Sequence, residues 1–320
     1  MKAMVITAFG GPEVFQEREL PMPQPGINEV LVKVHASSVN PVDYKIRRAG
    51  AWAGVKPPAV IGYDVSGVVE ALGPGVKDFA VGDEVYYTPE IFSGQGSYAE
   101  YHVAHEAIVA RKPANLSHED AASIPLAGGT AWDALITRAR VQPGQSVLIH
   151  AAAGGVGSLA VQIAKAAGAY VFATCSVGKM DFVKALGADR VIDYQREDFT
   201  AVIRRETRGA GVDVAFDTLG DETVARSIEA TRPFGQIVTI VNTTGNLGAA
   251  YLKNITLHFE FLQRARYKLD ALRALLEHGQ IKPVVDSVLP LAAVAEAHRR
   301  LENRQVRGKI VLRVAAAQSM

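Results

Sequence analysis

Between His150 and Gln162 the chain reads HAAAGGVGSLAVQ, and Ala151, Gly154 and Gly157 are spaced as in a turn that receives a pyrophosphate. Small residues are needed there for three reasons. The chain must turn tightly after a strand, a Cβ at Gly154 or Gly155 would obstruct the phosphates, and Gly157 lets the next helix pack close to that strand. The helix that begins around Val156 then points its N–H groups at the anion. Dinucleotide sites of this kind usually carry a carboxylate about twenty residues on, for the ribose hydroxyls. Here no Asp or Glu occurs from Ala151 to Met180. Where the second strand, YVFAT, gives out, the chain offers Ser176 and Lys179, a donor and a cation that suit a 2′-phosphate. Lys179 would equally serve as a solvated residue of a first helical turn, so the missing acid carries more weight than the lysine. The spacing therefore predicts NADPH in preference to NADH.

Other chemistry has fewer candidates. The lone Cys175 excludes an intramolecular disulfide, and no Cys/His cluster has zinc-finger spacing. His258, His278 and His298 show no triad-like or metal-like partners along the sequence. Asn40, before Pro41, reads from the residues alone as the cap of a turn. Tyr44 follows in the same segment, and Tyr63 is a second phenol of interest.

The elements that must hold these residues fall into two classes. The chain has 320 residues, 48% hydrophobic and 21% charged, a globular composition long enough for two domains. A formal charge of +1 gives no broad field for nucleic acid or an anionic membrane. The uncharged run 141–164 contains proline, glutamines and glycines and reads as strand, turn and helix rather than a membrane span. A cytoplasmic location is the expectation. Residues 1–118 read as short β-branched strands between Gly/Pro turns, such as EVLVKVHASSV and DVSGVVEAL. Ser117 with Glu119 and Asp120 reads as a helix start. Strands then alternate with helices through SVLIHA, YVFATC, RVIDY, DVAFDTL and QIVTIV, which predicts a doubly wound parallel sheet over 119–262. NITLHFEF is the sixth strand candidate, and 263–320 adds two helices and a last strand, GKIVLRV.

Taken in order, SSVNPVDYKIRRAG, PAVIGYDVSGVVEALGPGV, FAVGDEVY, GSYAEY, PLAGGTAWDAL, GQSVLIHAAAGGVGSLAVQIAKAAGA and GKIVLRV resemble the medium-chain dehydrogenase/reductase superfamily. Within it the chain is most similar to the zinc-free quinone oxidoreductases related to zeta-crystallin. The resemblance implies an α/β protein with a GroES-like β-barrel domain, to which 263–320 returns, and a Rossmann domain that binds NADPH. The zinc branch has a ligand His where this chain has Tyr63, and a four-Cys lobe that one cysteine cannot build. The implied activity is hydride transfer to a quinone or an α,β-unsaturated carbonyl without a metal. Conjugated acceptors suit that, because the charge that develops is delocalised and a few donors suffice. An NADPH-binding protein with a structural or sensing role is the alternative, since fold does not determine function.

The same resemblance sets Asn40 and Thr130 near the nicotinamide, where Asn40 would orient the substrate carbonyl or the cofactor amide, and Tyr194 and Arg304 near the 2′-phosphate. Asn242, after the fifth strand, lies where open α/β sheets bind ligands. A tyrosine that such relatives carry five residues after the Asn is Lys45 here, which leaves the proton donor open among Tyr44, Tyr63 and solvent. Relatives pair through the last sheet strand, so a homodimer through NITLHFEF is expected.

Overall fold

A computed structural model describes residues 1–314. Contacts divide the chain into two compact units. The first comprises Met1–Ala127, Arg264–His278 and the chain from Pro283; the second comprises Gly128–Gln263 with Gly279–Lys282. The stretch 119–127, expected to open the nucleotide-binding domain, packs with the first unit instead. Its helix His118–Ala122 does begin at Ser117, whose hydroxyl oxygen accepts from the Asp120 N–H at 3.0 Å.

The strands in chain order are β1 (Lys2–Ile6), β2 (Phe15–Glu19), β3 (Glu29–Ser38), β4 (Ala59–Val60), β5 (Val65–Leu72), β6 (Glu84–Tyr87), β7 (Tyr101–His105) and β8 (Ala110–Arg111). Those of the second unit are β9 (Ser146–Ile149), β10 (Tyr170–Cys175), β11 (Arg190–Asp193), β12 (Val212–Asp217), β13 (Thr231–Thr239) and β14 (Thr256–Phe259). The return contributes β15 (Val285–Pro290) and β16 (Lys309–Arg313).

In the first unit a three-stranded sheet runs β2-β1-β4, and a larger one runs β15-β16-β3-β5-β6-β8 with β7 also on β3. β16 pairs antiparallel with β3, so residues near opposite ends of the sequence share one sheet. That pairing is what brings Lys309 beside the loop after β3. Met4, Ile6, Ile46, Ile61, Tyr63, Tyr98, Val294, Ala297, Ile310 and Leu312 belong to one apolar cluster of this unit.

The second unit is a six-stranded, all-parallel sheet in the order β11-β10-β9-β12-β13-β14. Counted within the sheet this is 3-2-1-4-5-6, the dinucleotide-binding order, with the reversal beside its first strand. The inner strands are near-continuous apolar runs because both faces are covered: VLI of β9 and VFATC of β10 are wholly buried. Leu148, Phe172, Ile192 and Ile237 meet Phe199, Val202 and Ile228 from two crossover helices. The sixth strand, expected from NITLHFEF, is β14 at the sheet edge, with Phe259 62% exposed. No helix among the described residues is long and apolar enough to cross a membrane.

Candidate active site

In the second unit, β9 leads into the small-residue turn and the helix Gly155–Ala166 with Gly154 as its N-cap. Ala151 takes a left-handed φ of 50°, and the Gly154 N–H closes the turn on the Ala151 carbonyl at 2.9 Å. A Cβ at Gly157 would press directly on that carbonyl oxygen and on the Ala152 Cα, so this position needs glycine. At Gly154 an added Cβ would find the Ala151 oxygen at 3.3 Å, a tight fit rather than a clash, so the turn itself does not demand glycine there. The first regular cap bond comes from the Ser158 N–H to the Gly154 carbonyl. The N–H groups of Gly155, Val156 and Gly157 precede it and have no carbonyl within the helix, the arrangement a pyrophosphate fits.

β10 and β11 place the next group. They run in parallel register with Cys175 against Asp193, and the Tyr194 N–H donates to the Cys175 carbonyl at 3.3 Å. Ser176 and Tyr194 therefore leave adjacent strand ends side by side, and Lys179 closes the short turn Val177–Lys179 just beyond. Tyr194 is 58% exposed. The structure also brings in an acid that the sequence window did not cover, Asp193. It is buried, and its carboxylate accepts from the Gln195 N–H at 3.1 Å rather than standing open at the surface. Elsewhere on this unit, Asn242 lies exposed after β13, its carbonyl accepting from the Asp221 N–H. Thr130 is buried in the helix Pro125–Trp132, ahead of a widened helical turn over Asp133–Arg138. Arg304 is exposed beyond the helix Val294–Glu302, in the first unit.

The first unit holds Asn40, Tyr44 and Tyr63. Asn40 is buried and N-caps the helix Pro41–Ala49, the capping alternative. Its Nδ2 donates to Asp64 Oδ2 at 2.7 Å, and its Oδ1 accepts from Lys309 Nζ. With its oxygen held by an ammonium group and one amide hydrogen on Asp64, Asn40 braces the interior of the unit. Asp64 is the hub. It also accepts from the Ser38 hydroxyl at 2.6 Å and the Leu126 N–H at 2.7 Å, with Lys309 Nζ at 3.2 Å. Tyr44 is half-buried, with the Arg48 guanidinium over its ring. Tyr63 is fully buried, and its hydroxyl has no partner.

A second chain of polar groups adjoins this hub. Arg47 donates to His298 Nδ1 at 3.0 Å, which makes that nitrogen the acceptor and leaves the proton on Nε2. Nε2 lies 3.2 Å from Tyr98 Oη, whose own hydrogen goes to Asp43 Oδ2 at 2.6 Å. The direction is thus Arg47 to His298 to Tyr98 to Asp43. Burial, then the Arg47 charge, holds His298 down to about 3. Burial pushes the Asp43 carboxyl up to about 7, against the opposing pull of the Tyr98 and Asn40 hydrogen bonds and the Lys309 charge. His298 therefore has partners after all, 251 and 200 residues away in sequence, where no local pattern signals them. The capping spacing of Asn40 and Asp43 is the one local sign of this network.

Among the described residues no three His, Cys, Asp or Glu side chains converge as a metal site. The residues at the zinc-branch position do not fit a metal: Asp64 already has four donors and Tyr63 is a neutral phenol. Residues 26–114 match the family model described as alcohol dehydrogenase GroES-like domain, and 186–312 match zinc-binding dehydrogenase. The chain is 36% identical over 323 residues to the NADPH-dependent alkenal/one oxidoreductase of Arabidopsis thaliana, covering 98% of this chain and 79% of that protein. It is 33% identical over 325 residues to the quinone oxidoreductase of Homo sapiens, covering 98% and 97%. Among solved structures, an NAD-dependent alcohol dehydrogenase is similar with a TM-score of 0.92 at 38% identity, covering 98% of this chain and 100% of that one. Mycobacterial Rv1454c complexed with NADPH is similar with a TM-score of 0.89 at 31% identity, again covering 98% and 100%.

Proposed function

The chain belongs to the medium-chain dehydrogenase/reductase superfamily and is an oxidoreductase, and from that footing we propose that it reduces quinones or α,β-unsaturated carbonyl compounds with NADPH and without zinc. The observation that carries the reading is the carboxyl end of the parallel sheet. A glycine turn heads a helix there, and the next two strands lead into Ser176 and Lys179 and into Tyr194, with no exposed acid among them. The alkenal/one and quinone relatives support the acceptor class, and Rv1454c with NADPH supports the cofactor.

When bound, NADPH supplies two electrons and a hydrogen as a hydride equivalent. The protein's part is to hold and to stabilise. The N–H groups of Gly155 and Val156, at the start of a twelve-residue helix, hold the pyrophosphate, with Ala151, Gly154 and Gly157 giving the turn its shape. Ser176, Lys179 and Tyr194 hold the 2′-phosphate. Thr130 and Asn242 position the nicotinamide end. Tyr44 and Tyr63 are the phenols available to the acceptor, and burial raises the Tyr63 hydroxyl so that it stays a neutral donor. Charge spread over an enolate or a hydroquinone anion needs only such donors, whereas an isolated alkoxide needs a stronger electrophile. We further assign a cytoplasmic location and a homodimer joined at the β14 edge, where Phe259 would otherwise face water.

The test is the loss of NADPH absorbance with a panel of acceptors, before and after chelator treatment. Enones and quinones should react at least about a hundredfold faster than saturated ketones, the difference of one good transition-state donor. The chelator should change nothing. Rapid reduction of a saturated ketone, or a loss restored by zinc, would overturn the proposal.

A further inference from the structure

One alanine of the glycine turn stands in a conformation that alanine resists. Ala151 has a left-handed φ of 50°, and such a residue persists only where its surroundings hold it. Thr174, near the carboxyl end of β10 in the same unit, supplies two acceptors. Its hydroxyl oxygen accepts from the Ala151 N–H at 3.3 Å, and its carbonyl accepts from the Ala152 N–H at 3.0 Å. The same hydroxyl lies 3.1 Å from His150 Nδ1, and His150 Nε2 lies 3.0 Å from Ser227 Oγ on the helix Glu222–Ala230. The direction of this chain follows from its far end. Ser227 donates to the Thr223 carbonyl at 2.8 Å, so its oxygen accepts from His150, whose proton sits on Nε2. Nδ1 is then an acceptor and takes the hydroxyl hydrogen of Thr174. The Thr174 lone pairs are left for the Ala151 N–H. Burial, then the Arg226 charge, holds His150 down to about 3, so the ring keeps that single proton. The ring is also fixed in place, 1% exposed with Phe199 edge-on at 4.8 Å.

We propose that Thr174 and His150 are positioning residues for the dinucleotide, setting the Ala151 conformation, and with it the aim of the Gly155 and Val156 N–H groups, before any cofactor arrives. This rests on the dinucleotide reading above and adds to it how the pyrophosphate turn is held. The Ala151 carbonyl takes the Gly154 N–H and is the atom that a side chain at Gly157 would strike, so a change at Ala151 is passed to the helix start. Thr174 also stands two residues before Ser176, and one side chain thus ties the turn to the strand that leads to the 2′-phosphate end. Ordering the turn in advance removes a cost that binding would otherwise meet. That cost belongs to the pyrophosphate, which NADPH and NADH share. The clamp therefore strengthens both and does not choose between them.

The experiment uses the full chain as wild type, Thr174→Val, Thr174→Ser, His150→Asn and His150→Phe. Thr174→Val keeps the shape and removes the hydroxyl. It should weaken NADPH and NADH alike, by about tenfold in a fluorescence titration, the scale of one hydrogen bond. The ratio of the two affinities should stay within about twofold of the wild type's, because a loss common to both ligands leaves their difference unchanged. Thr174→Ser, which restores the hydroxyl, should recover most of the binding. His150→Asn keeps an acceptor for that hydroxyl, whereas His150→Phe keeps only a ring, so affinity should rank Asn above Phe. A packing role would rank them the other way. A readout without cofactor is amide exchange of the turn segment 150–157. In Thr174→Val it should run about tenfold faster than in the wild type while β9 and β12 keep their protection, since the opening is local. Wild-type binding or wild-type exchange in Thr174→Val, a shifted ratio, or Phe ranked above Asn overturns the proposal while the dinucleotide reading stands. If the wild type binds neither cofactor, that reading falls and the proposal with it.

Discussion

In the first unit Asn40, Asp64, Lys309, Asp43, Tyr98 and His298 are turned inward and answer one another, whereas in the second unit Ser176, Lys179 and Tyr194 stand at strand ends, partly or largely exposed. The motif positions look alike on the page as polar residues near a loop. Burial separates them. A polar group enclosed with its partners acts first on the fold, and its removal leaves an uncompensated neighbour. A polar group at an exposed strand end acts on whatever arrives, and its removal leaves the fold nearly as it was.

The sharpest way to break this contrast is at the hub. Asp64→Ala would leave the Lys309 ammonium buried with Asn40 as its remaining partner, and breaking a buried pair from one side costs about 3–5 kcal/mol. Denaturant unfolding should show that loss, and removing the charge as well, in Asp64→Leu with Lys309→Met, should recover part of it. A loss below about 1 kcal/mol, the range of a surface pair, would mean that the network is not part of the frame.

A smaller effect separates the groups within the network by pH. Asp43 has a folded value raised from 3.8 to about 7. Between those two values the folded chain keeps a proton that the unfolded chain has released, so this group's contribution falls as pH rises through the window. His298 works the other way. Its folded value is lowered from 6.5 to about 3, so protonation favours the unfolded chain and stability falls as pH drops through that range. Comparing wild type with Asp43→Asn isolates the first of these. From about pH 4.5 to 7.5 the variant should lose less stability than the wild type. Parallel profiles would show that Asp43 is already ionised in the folded chain.

The smallest structural effect, with a clear binding effect, is expected at the exposed end. Lys179→Ala should reduce the preference for NADPH over NADH about tenfold, the scale of one charge-assisted contact. It should leave unfolding within about 0.5 kcal/mol of wild type, as surface substitutions do. Equal binding of the two cofactors by the wild type would remove the distinction this end was assigned.

How much of this was legible follows the same division. The glycine turn, the alternation that gives six parallel strands and the missing acid are local in sequence, and the second unit could be read from them. Asp193 escaped because it closes the neighbouring strand, beyond the window in which a partner for the turn is sought. Of the hub only Asn40, through its capping position, was legible. Lys309 lies inside GKIVLRV, where a strand pattern reads it as an outward lysine, yet its side chain is 4% exposed. Its partners Asn40 and Asp64 lie 269 and 245 residues before it. Arg264 likewise sits in a run of basic residues, and only the tertiary fold carries it to Pro89 and Glu90.

The pairing of β16 with β3 also sets an order of events during synthesis. The second unit is nearly one continuous stretch of chain, and apart from Gly279–Lys282 it is complete once Gln263 has been made. The first unit must wait. As the chain leaves the ribosome, Asp64 appears 245 residues ahead of Lys309, and until that lysine arrives its site lacks its cationic partner. The early segment should therefore close only when β16 is delivered, so that a nascent chain stalled before Lys309 is expected to remain susceptible to proteases in its first hundred residues while its nucleotide-binding unit is already protected.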